Sequence, residues 1–156
     1  MDSSHIKFSD RKSKIDFQQL QKLFELGAFW ARDRSMDDLK VAVTNSKPVI
    51  SVWDNNQLIG FARATSDGIY RASIWDVVIH PEYRGTGLGS KLVETVLTHP
   101  LMYKVERVYL MTTHQQRFYE KIGFEENTTT TMVLHNKIKL GSLPTVEVHL
   151  SESHGG

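Results

Sequence analysis

Hydrophobic spacing along the chain changes period several times, and each change marks an element. A possible short strand, His5–Phe8, is followed by a polar stretch, Ser9 to Lys14. Phe17, Leu20, Phe24 and Ala28 then recur at spacings of three and four, with Leu23 beside them, which predicts an amphipathic helix. Asp16 is its expected N-cap, and Gly27 loosens its end. A second helix is predicted over Met36 to Thr44, capped by Ser35, with Asp37 and Asp38 in the first turn, where the helix dipole favours negative charge. Val49–Trp53 and Leu58–Ala64 read as strands of a tight hairpin around Asp54-Asn55-Asn56-Gln57. Asp67-Gly68 marks a further turn before the strand Ala72–Ile79. Its mostly apolar run, Ile74 to Ile79, suits a strand buried on both faces.

Leu88, Leu92 and Val96, widened by Val93 and Leu97, predict a strong amphipathic helix that stops at His99-Pro100. Val105–Met111 reads as another strand, Gln115–Ile122 as a short helix ending on Gly123, and Thr129–Leu134 and Thr145–Leu150 as final strands. The order β-α-α-β-β-β-α-β-α-β-β describes an α/β chain with a mixed sheet and helices on both faces. The strand–loop–helix–strand passage in the middle requires a right-handed parallel crossover.

Composition narrows the function classes. At 156 residues the chain is one domain long. Nineteen Lys and Arg against eighteen Asp and Glu leave a formal net charge of +1, which gives no footprint for nucleic acid or an anionic membrane. Without cysteine there is no disulfide, thiolate metal site or Cys nucleophile. No apolar run reaches the roughly 18 residues of a membrane span, and Met1–Lys7 lacks the apolar core of a secretory signal. A cytoplasmic location is expected.

The most informative segment is Val77-Val-Ile-His-Pro-Glu-Tyr-Arg-Gly-Thr-Gly-Leu-Gly-Ser-Lys91. A buried strand ends, a short loop turns, and Gly85, Gly87 and Gly89 open a helix. Glycine amides can converge there, and the helix start adds unsatisfied N–H groups, so the loop suits a pyrophosphate, with Arg84 beside it. A tight connection with no ligand would explain the glycines equally well. The segment is not a Walker loop, since no Gly-x4-Gly-Lys-Ser/Thr is present. It is not a dinucleotide fingerprint either, because the sixth position from Gly85 is Ser90.

Arg84-x-x-Gly87-x-Gly89, preceded by Val-Ile-His-Pro-Glu-Tyr, resembles the acyl-CoA loop of the GNAT superfamily of N-acetyltransferases, and Phe118-Tyr-Glu-Lys-Ile-Gly-Phe124 resembles its second mark. Leu58–Asp67 and Ile74–Ile79 are similar to a cyanobacterial and plant-plastid group, some of whose members acetylate arylalkylamines and others protein lysines or N-termini. The resemblance implies the GNAT fold: a single N-acetyltransferase domain over 1–156, core about 6–134 and a strand and tail over 135–156. Its central mixed sheet would have splayed parallel strands flanked by helices.

The implied activity is acetyl-CoA-dependent transfer to a primary amine, without a metal, by a monomer or homodimer. The alternative is a CoA-binding regulatory module without turnover. By the same resemblance, the amides of Arg84, Gly85, Thr86, Gly87, Leu88, Gly89 and Ser90 hold the pyrophosphate. The backbone of Val77, Val78 and Ile79 lies along the pantetheine, and the Val77 N–H polarises the thioester carbonyl. Tyr119 matches the tyrosine that protonates the departing thiolate, with Phe118 beside it at the cofactor. As a half-buried aromatic, Tyr119 has a bland reading too.

Thr113 stands where many members carry an asparagine that contacts the pantetheine, and His114 could take part in its place. Arg117 stands where plant relatives often have an acidic residue. An ammonium acceptor must lose a proton before it attacks, which calls for a base or a water chain. Asp76 is one candidate base and otherwise a structural hydrogen-bonding group. His80 is another, and Ser73 occupies the position of a family base. Trp30 offers either an aromatic wall for the acceptor or a hydrophobic staple between helices, ahead of Met132 and Tyr70.

Overall fold

A computed structural model describes residues 5–128 and 131–136. Five strands form one mixed sheet in the order β1 (Ile6–Ser9), β2 (Val49–Asp54), β3 (Gln57–Ser66), β4 (Arg71–Ile79), β5 (Arg107–Leu110). The first three junctions are antiparallel and the last is parallel. Helices α1 (Phe17–Gly27) and α2 (Met36–Thr44) cover one face, α3 (Leu88–Thr98) covers the other, and α4 (Gln116–Ile122) packs beside α3. This is the mixed sheet flanked by helices expected from the element order.

Two buried clusters fill the layers. Leu20, Leu23 and Phe24 of α1 meet Val49, Phe61 and Val78 on one side of the sheet. Leu92, Val93 and Val96 of α3 meet Val52, Ile59, Ile74 and Ile79 on the other. The helix starts are satisfied as their sequence requires: Asp16 Oδ1 accepts N–H bonds from Gln18 and Gln19 at 3.0 and 3.4 Å, and Ser35 Oγ accepts one from Asp38 at 3.1 Å.

β4 departs from regular alternation. Phe61 pairs with Val78, but Arg63 pairs with Trp75, so β4 spends one extra residue there. Asp76 takes this bulge, at φ 57°. The bulge reverses which parity faces which layer. Ala72 and Ile74 lie in the α3 cluster before it, Ile79 lies in the same cluster after it, and Val78 faces α1.

Two expectations are corrected. The strand predicted over Val105–Met111 is confined to Arg107–Leu110, because Val105 N–H closes a turn onto Met102 O. No strand forms over 131–136, where Met132, Val133 and Leu134 are exposed; residues 129 and 130 of that predicted strand, and all of Thr145–Leu150, lie outside the described residues. β-prone side chains alone do not make a strand, whose stability comes from the pairs it forms. By its packing the chain divides into two units, Met1–Glu125 and Glu126–Gly156, and the first holds every helix and strand among the described residues.

Candidate active site

Pairing between β4 and β5 runs only from Arg71↔Arg107 to Ile74↔Leu110. Beyond Ile74, β4 continues to Ile79 with no strand beside it on that side among the described residues. Backbone direction there follows from one bond: His80 N–H donates to Ile59 O of β3 at 2.7 Å. Alternation then turns the groups of Val78 toward β3 and those of Val77 and Ile79 toward the open side. The splayed edge thus offers a short ladder of main-chain donors and acceptors.

The loop after β4 is built to leave its amides available. Pro81–Tyr83 form one 3-10 turn, whose N-cap is His80: its Nδ1 accepts the Glu82 N–H at 3.1 Å, and its ring packs edge-on to Tyr83 at 5.8 Å. His80 Nδ1 is therefore engaged as a cap. Tyr83 is tied by its hydroxyl to Asp54 at the end of β2, and His5 Nε2 lies 3.1 Å from the same carboxylate. The Tyr83 carbonyl in turn accepts the Thr86 hydroxyl at 2.6 Å.

Gly85 and Gly87 have φ of 78° and 84°, a region in which a Cβ collides with the backbone. No side chain caps α3, and its first bond runs from Lys91 N–H to Gly87 O at 3.2 Å. The amides of Gly85, Thr86, Gly87, Leu88, Gly89 and Ser90 have no described protein acceptor, whereas the Arg84 amide, also expected in the cradle, donates to Pro81 O at 3.4 Å. Gly89 has a different reason to be glycine: a Cβ there would lie 3.3 Å from Phe118 Cζ. It lets α4 approach the cradle.

The Arg84 side chain does not project toward that cradle as the sequence suggested. Its Nη2 donates to Gly27 O at 2.9 Å, so the guanidinium fastens the end of α1. Gly27 itself sits so close to β4 that a Cβ would lie 2.8 Å from Val78 Cγ2.

Tyr119 packs edge-on between Phe118 and Phe124, at 4.9 and 5.8 Å between ring centroids, against the α3 side of the core that also takes Val77. Burial raises its phenol above the usual value, so the hydroxyl keeps its proton across the neutral range. The hydroxyl makes no described hydrogen bond to protein. His114 and Thr113 are exposed, and Arg117 is exposed on α4.

On the other face of β4, Asp76 is enclosed: its side chain is 6 % exposed. Arg34 Nη1 and Arg63 Nε each donate to Oδ2 at 2.7 Å, and Trp30 Nε1 donates to Oδ1 at 3.3 Å. Burial, the largest single influence, pushes the carboxyl up. The hydrogen bonds and charges of Arg34 and Arg63 together outweigh it, and the group lies below the ordinary carboxylate range. A carboxylate so held is a poor proton acceptor, so the geometry favours its structural reading over the base.

Trp30 lies between α1 and α2 with its indole N–H directed to Asp76 Oδ1. It is 48 % exposed in the 3-10 turn Phe29–Ala31, with its ring edge-on to Phe29 at 5.2 Å. Ser73 is partly buried on β4, and Tyr70 is exposed in the β3–β4 turn.

β4 thus separates two half-sites. The cradle, Phe118 and Tyr119 lie toward α3, and Trp30, Arg34 and Asp76 lie toward α1. Sequence reasoning missed Arg34 and Arg63. A signal for Arg63 existed: an arginine between buried Ala62 and Ala64 on a central strand needs a buried partner. Nothing in the sequence marked Gly27 as a contact of β4.

Comparison with known proteins agrees with this geometry. Residues 45–126 match the acetyltransferase (GNAT) domain. The N-acetyltransferase ycf52 of Pyropia yezoensis, itself uncharacterised, is 35 % identical over 115 residues, covering 70 % of this chain and 65 % of the relative. A ycf52-like protein of Prochlorococcus marinus is 40 % identical over 100 residues, covering 62 % and 54 %. The chain thus spans less than two thirds of the length of these relatives. A crystal structure from Xanthomonas campestris, described as belonging to the GNAT family, superposes with a TM-score of 0.74 at 24 % identity, covering 83 % of this chain and 94 % of that one, and shares the fold. With more than half its length matched by that domain, this chain belongs to the GNAT family.

Proposed function

We propose that this protein is an N-acetyltransferase that moves the acetyl group of acetyl-CoA directly to a primary amine, carried by a small molecule such as an arylalkylamine or by a protein. The observation that carries the reading is the adjacency of two main-chain features: the uncapped start of α3, and the edge of β4 left open where β5 departs. Amides from Gly85 to Ser90 would hold a diphosphate by N–H donation. The Val77 and Ile79 main chain would pair with the amide-bearing arm. When bound, acetyl-CoA supplies an activated thioester carbonyl.

The chain's own residues do the rest. The Val77 N–H faces the open edge and donates to a carbonyl oxygen as charge develops on it. The Tyr119 hydroxyl, kept protonated by burial, holds a proton for a departing thiolate. Trp30 walls the opposite side of β4, where an acceptor amine would approach. With Asp76 and His80 both engaged, water reaching the amine through the open edge, with the Ser73 hydroxyl as a relay, is the route for its proton.

The test uses the full chain. Acetyl-CoA, but not NAD or ATP, is expected to raise the melting temperature, and free thiol is expected when amines are added. No thermal shift at saturating acetyl-CoA refutes the reading. A shift with no thiol released across arylalkylamines, polyamines and lysine peptides assigns a CoA-binding regulatory module instead.

A further inference from the structure

We infer that Asp76 is a positioning residue: its carboxylate fastens the segment between α1 and α2, with Trp30 and Arg34, to β4 one residue before Val77, and so fixes where the acceptor amine meets the acyl carbonyl. The inference rests on the acetyltransferase reading above and concerns the acceptor half of the site.

Two independent requirements meet at this residue. The bulge demands a backbone at φ 57°, which Asp, Asn and Gly tolerate and most residues do not. The three donors demand an anionic acceptor with both oxygens in use. Glycine meets the first requirement only. Asparagine meets the first and keeps one oxygen acceptor.

The donors come from three separate segments. Trp30 belongs to the 3-10 turn after α1, Arg34 precedes α2, and Arg63 lies on β3. Arg34 also stacks over Phe24, 5.5 Å from the ring centroid, so the tie reaches from the sheet into the α1 core. Without the carboxylate, two guanidiniums would face each other across a nearly buried gap with nothing to neutralise them. The segment 28–35 would then keep the burial of Ala28 and Ala31 and the bond from Gln21 Nε2 to Arg34 O, and lose the bonds that orient the indole and the Arg34 guanidinium. The two half-sites therefore have separate tethers, Arg84 near the cofactor loop and Asp76 near the acceptor wall. Removing the second tether disturbs acceptor use and spares acetyl-CoA binding.

The experiment compares Asp76→Gly, Asp76→Asn and Trp30→Phe with the unaltered full chain. It reads acetyl-CoA affinity by calorimetry, acceptor KM and kcat by thiol release, and hydrogen exchange of residues 28–35. Asp76→Gly is expected to lower kcat/KM for the acceptor by about tenfold to a hundredfold, the scale of a small misplacement of reactants, with acetyl-CoA affinity changed by less than about twofold. Asp76→Asn recovers part of the loss. Trp30→Phe, which keeps a ring and loses the N–H, raises acceptor KM and leaves the melting temperature in place.

A fall in melting temperature with acceptor kcat/KM unchanged overturns the proposal. So does loss of the acidic limb of the kcat/KM pH profile in Asp76→Asn, which would make Asp76 the base. Should Asp76→Gly fail to fold, Asp76→Asn and Trp30→Phe decide by the same readings. If the unaltered protein neither binds acetyl-CoA nor releases thiol, the acetyltransferase reading fails. Hydrogen exchange then decides the tether by itself: protection of 28–35 unchanged in the Asp76 variants overturns it.

Discussion

Gly87 offers the sharpest test of the cradle, because the cost of replacing it has a single source. Its φ is 84°, and a Cβ built there meets nothing within 4 Å. Gly87→Ala therefore introduces no clash, only a left-handed alanine, which costs about 1–2 kcal/mol. Restricting the unfolded chain returns roughly 0.4–1 kcal/mol, leaving a net loss near 1 kcal/mol. For a folded body of this size the melting temperature drops by about 3–5 °C. Gly87→Asn tolerates the same φ and can supply an N-cap oxygen to α3, so it recovers most of that stability.

Affinity for acetyl-CoA responds differently. An alanine that relaxes toward negative φ turns the following amides away from a common point. Losing one hydrogen bond to a charged group is worth about 1.5–3 kcal/mol, or roughly ten- to a hundredfold in Kd. Differential scanning calorimetry and titration calorimetry on the same preparations separate the two effects. Destabilised Gly87→Ala protein that binds acetyl-CoA as tightly as before would refute the cradle. Unchanged stability would refute the backbone conformation itself.

Two further outcomes follow from the titrating groups. Tyr119→Phe is expected to lower kcat by about a hundredfold or more while leaving acetyl-CoA affinity intact, as general acids contribute on that scale. Because burial raises the phenol, the unaltered protein should keep this proton until the pH climbs above the usual phenol value, and a kcat that ignores the substitution removes Tyr119 from proton transfer. For Asp76 the folded state lowers the pKa, so its contribution is complete above the unfolded value of about 3.9 and is lost as pH falls through the folded value. Asp76→Asn should cost roughly 3 kcal/mol near neutrality. The gap to the unaltered protein should close under acid denaturation, and a gap independent of pH would contradict the ion pairs.

Elements whose signals are local were legible in the sequence. Asp16 and Ser35 cap the helices they were expected to cap, Asn55 takes the positive φ of the hairpin at 52°, and Gly123 ends α4 at φ 123°. Gly85 and Gly87 could be read for the same reason: their need for positive φ belongs to the residue itself. What depended on distant partners was not legible. Trp-Asp-Val-Val-Ile reads as an unbroken apolar strand, and nothing in it announces that Asp76 stands in a bulge with two arginines from elsewhere in the chain. Arg84 looked like a ligand for phosphate because its motif sits beside the glycines, yet its side chain answers to a carbonyl 57 positions away. His80 looked like a candidate base, and its ring caps the Pro81 turn. Thr129–Leu134 has the composition of a strand, and composition was all that spoke for it.

The extra residue in β4 makes that strand a two-phase element, like a sentence whose reading frame slips midway. Deleting Asp76 would restore strict alternation and still leave Val78 toward α1 and Ile79 toward α3, because the bulge is one residue more than the pairing of β3 requires. Such a deletion would leave the inward and outward amides along the open rim as they are and remove only the acceptor that Trp30, Arg34 and Arg63 share. The bulge is therefore kept for the side chain it displays and not for the layers it sets: a library selected for turnover should retain an acceptor at position 76 while exchanging apolar residues freely on either side.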